Sequence, residues 1–251
     1  MYPTLWFIDL YTVFILIGLF MSLFVVHLYA EKIKMAQKLK LDILMIGIIA
    51  IFAGFIAAVL FQLLFDVIKG NEIRPFAMTF YGGLVGGIAA FLLLYFLYIS
   101  KKHETAAFRD LLIIAPAAIT IAHAFGRVGC FFAGCCYGIE TNSWLGMQFP
   151  DLPNPVYPTQ LFEALFLFLL FAVLFFLAFW KHNIYTMPTY LISYGVWRFL
   201  IEFIRGDERG AFFLSLSPSQ WFALVAIISG TVLAVLIGKK VILSDNAKSV
   251  L

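Results

Sequence analysis

Charge is what this sequence is short of. Only 12% of its 251 residues are Asp, Glu, Lys or Arg, against 63% hydrophobic, whereas a soluble globular domain carries roughly 25% charged residues. That scarcity excludes an ordinary water-soluble domain. The formal net charge of +3 carries no signal for nucleic acid, and none is expected as a partner. The N-terminal stretch lacks the basic flank and small-residue cleavage site of a signal peptide, so a retained helix is expected there. Cysteine is scarce too, at three residues, yet all three crowd into "HAFGRVGCFFAGCCYG", His123 to Gly138.

What is present is a series of long apolar runs. A span needs about 20 mostly apolar residues to cross the hydrocarbon core. Seven stretches qualify, near Leu5–Tyr29, Ile43–Ile68, Phe80–Ser100, Phe108–Val128, Leu161–Trp180, Met187–Ile204 and Gln220–Ile237. The expected fold is all-α: a polytopic integral membrane protein of about seven transmembrane helices, one transmembrane domain over residues 1–251. The basic residues fix an orientation. Lys32, Lys34, Lys38 and Lys40 share one loop, Lys101, Lys102 and Arg109 another, Lys181 a third, and Lys239, Lys240 and Lys248 the tail. Short loops rich in Lys and Arg stay cytoplasmic, which puts the N-terminus outside and the C-terminus in the cytoplasm.

The other face then receives the unusual segments, 70–86, 123–163 and 195–217, and is the expected active-site face. In the sixth span Arg198, Glu202 and Arg205 stand at i, i+4 and i+7, one helical face. The plain reading is an ion-paired helix packing its neighbours; the functional one is an anion site, because a guanidinium fork matches phosphate. His123, Arg127 and Cys130 repeat that spacing in the fourth span, where Gly126 and Gly129 flank Arg127 and admit a close neighbour. "YGGLVGG", Tyr81 to Gly87, opens the third span, and its glycines serve close helix packing or admit a lipid headgroup. Pro158 suits the first turn of the fifth span, with Glu163 about a turn inside. A carboxylate at that depth is expensive unless an Arg pairs with it.

These residues resemble the prolipoprotein diacylglyceryl transferases, seven-span bacterial membrane enzymes. The family's His-Gly-Gly-Leu-Ile-Gly segment reads Tyr81-Gly82-Gly83-Leu84-Val85-Gly86 here, and its Gly-Arg-hydrophobic-Gly-Asn-Phe signature corresponds to Gly126 through Phe131. Its Pro-Ser-Gln-Leu-Tyr-Glu segment corresponds to Pro158 through Glu163, and its Arg-x-x-x-Glu-Phe-x-Arg run to Arg198, Glu202, Phe203 and Arg205. The resemblance implies transfer of a diacylglyceryl group from phosphatidylglycerol to the lipobox cysteine of a preprolipoprotein, at the outer face of the bacterial cytoplasmic membrane, without a cofactor. It implies catalytic roles for Arg127, Arg198 and Glu202 and a candidate role for Tyr81 at the family's histidine position, while the face shared with Arg127 adds His123 and Cys130 as further candidates. Gly82, Gly83, Gly126, Gly138, Gln160, Glu163 and Arg205 are the expected phospholipid-binding set, and membrane lipids are the remaining partners.

The departures matter as much as the matches. Tyr81 stands where the family has the His often cast as the base, and Cys130, Ala133 and Cys135 stand where it has Asn, Asn and Glu. A tyrosine with an ordinary pKa near 10 is a poor base at neutral pH, so His123 is the expected substitute. The altered loop leaves room for another acceptor, or for a lipid-binding or transport protein without the chemistry. The thiols have several readings: buried packing groups, a disulfide between Cys130 and Cys135 or Cys136, or a nucleophile at Cys130. A zinc site with His123 ranks last because the spacing fits no standard pattern, and no metal is expected.

Overall fold

The computed structural model describes residues 4–5, 8–69, 79–99, 106–206 and 216–239. Two compact units emerge, one formed by Met1–Tyr29 with Phe108–Leu251 and the other by Ala30–Ala107. Among the described residues there are seven α-helices, and six helical stretches are long and apolar enough to cross a membrane. The protein is a polytopic helical membrane protein. The strands are minor: Thr4–Leu5 (β1) pairs antiparallel with Ile8–Asp9 (β2), just ahead of the first helix.

That helix, α1, runs Leu10–Lys32, so it starts later than the expected Leu5. The reason is a cap. Asp9 accepts the Thr12 backbone N–H at 2.7 Å and the Thr12 hydroxyl at 3.0 Å, the usual device for closing an orphan donor at a helix start. Those donors hold the Asp9 carboxyl below its usual range.

In the second unit α2 (Gln37–Lys69) packs against α3 (Phe80–Leu94), which continues into a π-turn at Tyr95–Ile99. The α3 glycines make this approach possible. A Cβ on Gly82 would stand 2.6 Å from the Cβ of Phe61, and one on Gly83 3.2 Å from that of Ala58. Lipid tails are as apolar as leucine, so close van der Waals contact of this kind is what joins helices in a membrane.

The first unit holds α1 and four more helices: α4 (Ala106–Phe132, the unit taking it from Phe108), α5 (Thr159–Phe179), α6 (Thr186–Ile201) and α7 (Pro218–Gly238). Pro116 sits inside α4. Its ring nitrogen has no hydrogen for the carbonyl four residues back, and the Thr186 hydroxyl donates to that carbonyl, Leu112 O, at 3.2 Å. The break is thereby repaired from α6. α5 buries Gln160, Glu163, Leu167, Leu170, Leu174 and Ala178 on one helical stripe, while Leu165, Leu169 and Val173 stay exposed as a lipid-facing side would. Phe166 of α5 stacks on Trp197 of α6 with centroids 4.5 Å apart.

Several boundaries differ from expectation. α4 continues to Phe132, so Gly129 and Cys130 belong to a helix rather than to the link that follows. Pro158 precedes the first residue of α5 instead of lying in its first turn. α6 is only 16 residues long and gives way to a 3₁₀ turn at Glu202–Ile204. The expected continuous stripe therefore ends early: Arg205 has extended backbone, φ −77° and ψ 141°. α7 begins with a capping box, Ser217 Oγ accepting the Gln220 N–H at 3.2 Å and Gln220 Oε1 accepting the Ser217 N–H at 2.9 Å.

Candidate functional site

The site is a chain of buried charges within the first unit. Glu163, 1% exposed, sits a turn into α5, where an unpaired carboxylate would be prohibitive. It is ion-paired on one oxygen and hydrogen-bonded on the other. Arg127 Nε from α4 lies 3.0 Å from Glu163 Oε2, the Tyr194 hydroxyl of α6 donates to Oε1 at 2.9 Å, and His123 Nε2 stands 3.8 Å from that same oxygen. The His123 ring also meets the Tyr194 ring edge-on at 5.1 Å. Three helices thus converge on one carboxylate.

Glu202 is the second centre. Arg198 Nη2 lies 2.8 Å from Glu202 Oε2, and Arg205 Nε lies 3.8 Å from it. Ser217, the cap of α7, donates to Glu202 Oε1 at 2.6 Å, and Arg198 Nη2 donates to Ser219 Oγ at 2.8 Å. Arg198 and Arg205 are both buried, at 7% and 8% exposure. Nη1 of Arg198 is buried without a hydrogen-bond acceptor among the described residues. The two centres share a field, since Arg198 acts electrostatically on both Glu163 and His123.

The loop after α4 closes the site's edge. Gln160 Nε2 donates to Cys135 O at 2.6 Å and the Thr159 hydroxyl to Cys136 O at 2.8 Å. Residues 204–206 then run antiparallel beside 137–139: Ile139 N–H donates to Ile204 O at 2.9 Å and Gly206 N–H to Tyr137 O at 3.1 Å. A Cβ on Gly138 would stand 2.6 Å from Ile204 O, so only glycine lets the strands approach. That pairing brings Arg205 against Cys136. The Cys136 thiol is held well below the ordinary thiol range, first by its contacts with the Cys130 and Cys135 thiols and then by Arg205. The same thiol contacts push Cys135 well above it.

The structure therefore brings together His123, Arg127, Glu163, Arg198, Glu202 and Arg205, with Gln160, Gly138 and Cys130 at the loop. Gly126 meets α1, where a Cβ would lie 3.7 Å from Ile15. Gly82 and Gly83 belong to the second unit, packed on α2; the Tyr81 side chain and the segments 70–78 and 207–215 lie outside the described residues. Sequence reasoning missed Tyr194, Ser217 and Ser219. Tyr194 had a signal, because Tyr190, Tyr194, Arg198 and Glu202 follow one another at intervals of four.

Fold and site together define a polytopic helical membrane protein with a buried arginine–carboxylate array. The profile described as prolipoprotein diacylglyceryl transferase matches residues 4–236, and the chain belongs to that family. It is similar to phosphatidylglycerol–prolipoprotein diacylglyceryl transferase 2 of Clostridium perfringens, 37% identical over 161 residues, which span 61% of this chain and 59% of that protein. The protein of Clostridium tetani named phosphatidylglycerol–prolipoprotein diacylglyceryl transferase is 33% identical over 73% of this chain and 76% of its own length. That of Finegoldia magna, with the same name, is 28% identical over 94% of both.

Proposed function

We propose that the chain transfers the diacylglyceryl group of phosphatidylglycerol to the lipobox cysteine thiol of preprolipoproteins, at the outer face of a bacterial cytoplasmic membrane. The relatives bear that activity in their names. The observation that carries the reading here is the buried Nη1 of Arg198, a charged donor with no acceptor among the described residues. A phosphate oxygen is an acceptor suited to a guanidinium donor.

In the reaction the cysteine sulfur attacks the glycerol carbon that bears the phosphate. The carbon–oxygen bond breaks, its electron pair stays on the phosphate oxygen, and the thiol proton passes to a base. The products are a thioether and glycerol phosphate. Arg198 and Arg127 stabilise the charge that gathers on the departing phosphate, an effect strengthened in apolar surroundings. Glu202 and Glu163 hold the two guanidiniums in place, and Arg205 binds the phosphate group from the loop side. His123 takes the proton, and Gly82 and Gly83 contact the phospholipid as the family resemblance implies, with Tyr81 the alternative catalytic group.

The test is purified protein in phosphatidylglycerol micelles with a lipobox peptide, every product being weighed by mass spectrometry. Peptide carrying a diacylglyceryl thioether, with glycerol phosphate released, supports the proposal. An unmodified peptide beside glycerol phosphate released by another acceptor redirects it to that acceptor, and intact lipid with bound protein points to a lipid-binding role.

A further inference from the structure

The transfer steps described above leave the three cysteines without an assigned role. Cys130 stands in the last turn of α4, and Cys135 and Cys136 follow in the loop; all three are free thiols. Their Sγ atoms lie within 4.8 Å of one another. Adjacent cysteines ordinarily diverge, because successive side chains of extended backbone point to opposite faces. Here the backbone is bent to prevent it. Gly134 has φ 62° and Cys136 φ 64°, and a non-glycine residue in that region costs roughly 1–2 kcal/mol. The bend is held rather than loose: the Cys135 N–H donates to Cys130 O at 3.2 Å. Gln160 and Thr159, each 1% exposed, clamp the two carbonyls that follow.

We propose that Cys130, Cys135 and Cys136 form a three-thiolate site for one thiophilic d¹⁰ cation, of the class of zinc(II) or copper(I). Thiolate is the ligand such ions select. A metal–sulfur bond of about 2.3 Å requires sulfurs about 3.8–4.0 Å apart, so small side-chain rotations close the triangle. A trigonal ion accepts the three thiolates alone; a tetrahedral one adds a water, for which the exposure of Cys135 provides access. The surrounding charge is matched. Three thiolates around a divalent ion leave one negative charge, around a monovalent ion two, and the guanidiniums of Arg205 and Arg127 both act on this cluster. The spacing C-x₄-C-C follows no standard metal motif because the left-handed turn, not the spacing, assembles the ligands. The site stands apart from the transferase reading, and its test does not use transfer.

The experiment takes the full-length protein in detergent, reduced with a phosphine and stripped of metal by a chelator, and titrates it with cadmium(II) as the spectroscopic probe. A thiolate-to-cadmium charge-transfer band saturating at one ion per chain is expected, with zinc(II) displaced in competition. Cys130→Ser, Cys135→Ser and Cys136→Ser each weaken binding by at least about 100-fold, since losing a ligand costs no less than losing its supporting partner. Because Cys130→Ser can disturb α4, the wild type supplies a second readout: zinc(II) protects all three thiols from alkylation together. No band in the fully reduced chain overturns the proposal. So does equal binding in folded Cys135→Ser and Cys136→Ser, or protection of only two thiols, which would indicate a redox pair instead.

Discussion

At the scale of single residues, the transfer step turns on which group accepts the thiol proton. His123 reaches Glu163 from one turn deeper in α4 than Arg127, the rise of four residues being about 6 Å. If it is the base, His123→Ala lowers the transfer rate by ~10²–10⁴, while Tyr81→Phe stays within about tenfold of wild type. The reverse order would make Tyr81 the base, and two mild effects would turn attention to Cys130. The charges of the site were legible because each is costly in an apolar run: Glu163, Arg127, Arg198 and Glu202 all announce a partner. Tyr194 was legible only through its place four residues before Arg198, because an uncharged tyrosine is by itself unremarkable at a membrane boundary. The thiol triangle was hidden. It depends on the φ angles of Gly134 and Cys136, which no pattern of residue types encodes.

At the scale of elements, apolar length gave the helices, whereas caps and repairs decided their ends. Asp9 starts α1 and the Ser217–Gln220 box starts α7, each a local hydrogen bond that a hydropathy window does not see. Pro116 is the reverse case, a breaker tolerated because Thr186 serves the carbonyl it abandons. Thr186→Val leaves Leu112 O without that donor and is expected to destabilise the protein by about 1–3 kcal/mol. The check is a thermal unfolding series in detergent against Thr186→Ser, which retains the hydroxyl and should stay near wild type. Wild-type stability in Thr186→Val, or an equal loss in Thr186→Ser, would contradict the repair. α6 is the one expected span that falls short, at 16 residues, and its end is where Glu202 and Arg205 leave the helix to meet Arg198 and the loop. Shortness there serves the site.

At the scale of the whole molecule, the loop lysines predict an orientation, N-terminus outside and C-terminus in the cytoplasm. A reporter that fluoresces only in the cytoplasm, fused after Leu251, should be bright; a dark fusion with a protease-accessible C-terminus would reverse every face assignment. The central claim is that two arginines, each set by its own carboxylate, carry the phosphate of one phospholipid. Lysine keeps the charge but not the planar fork. The most direct measurement is therefore the initial rate of diacylglyceryl transfer for Arg127→Lys and Arg198→Lys beside wild type, with helical content and detergent-solution size confirming that each is folded. Both folded variants are expected to lose about 10²–10³ in rate, the scale of removing one preorganised donor. Transfer by folded Arg198→Lys at the wild-type rate would contradict the claim.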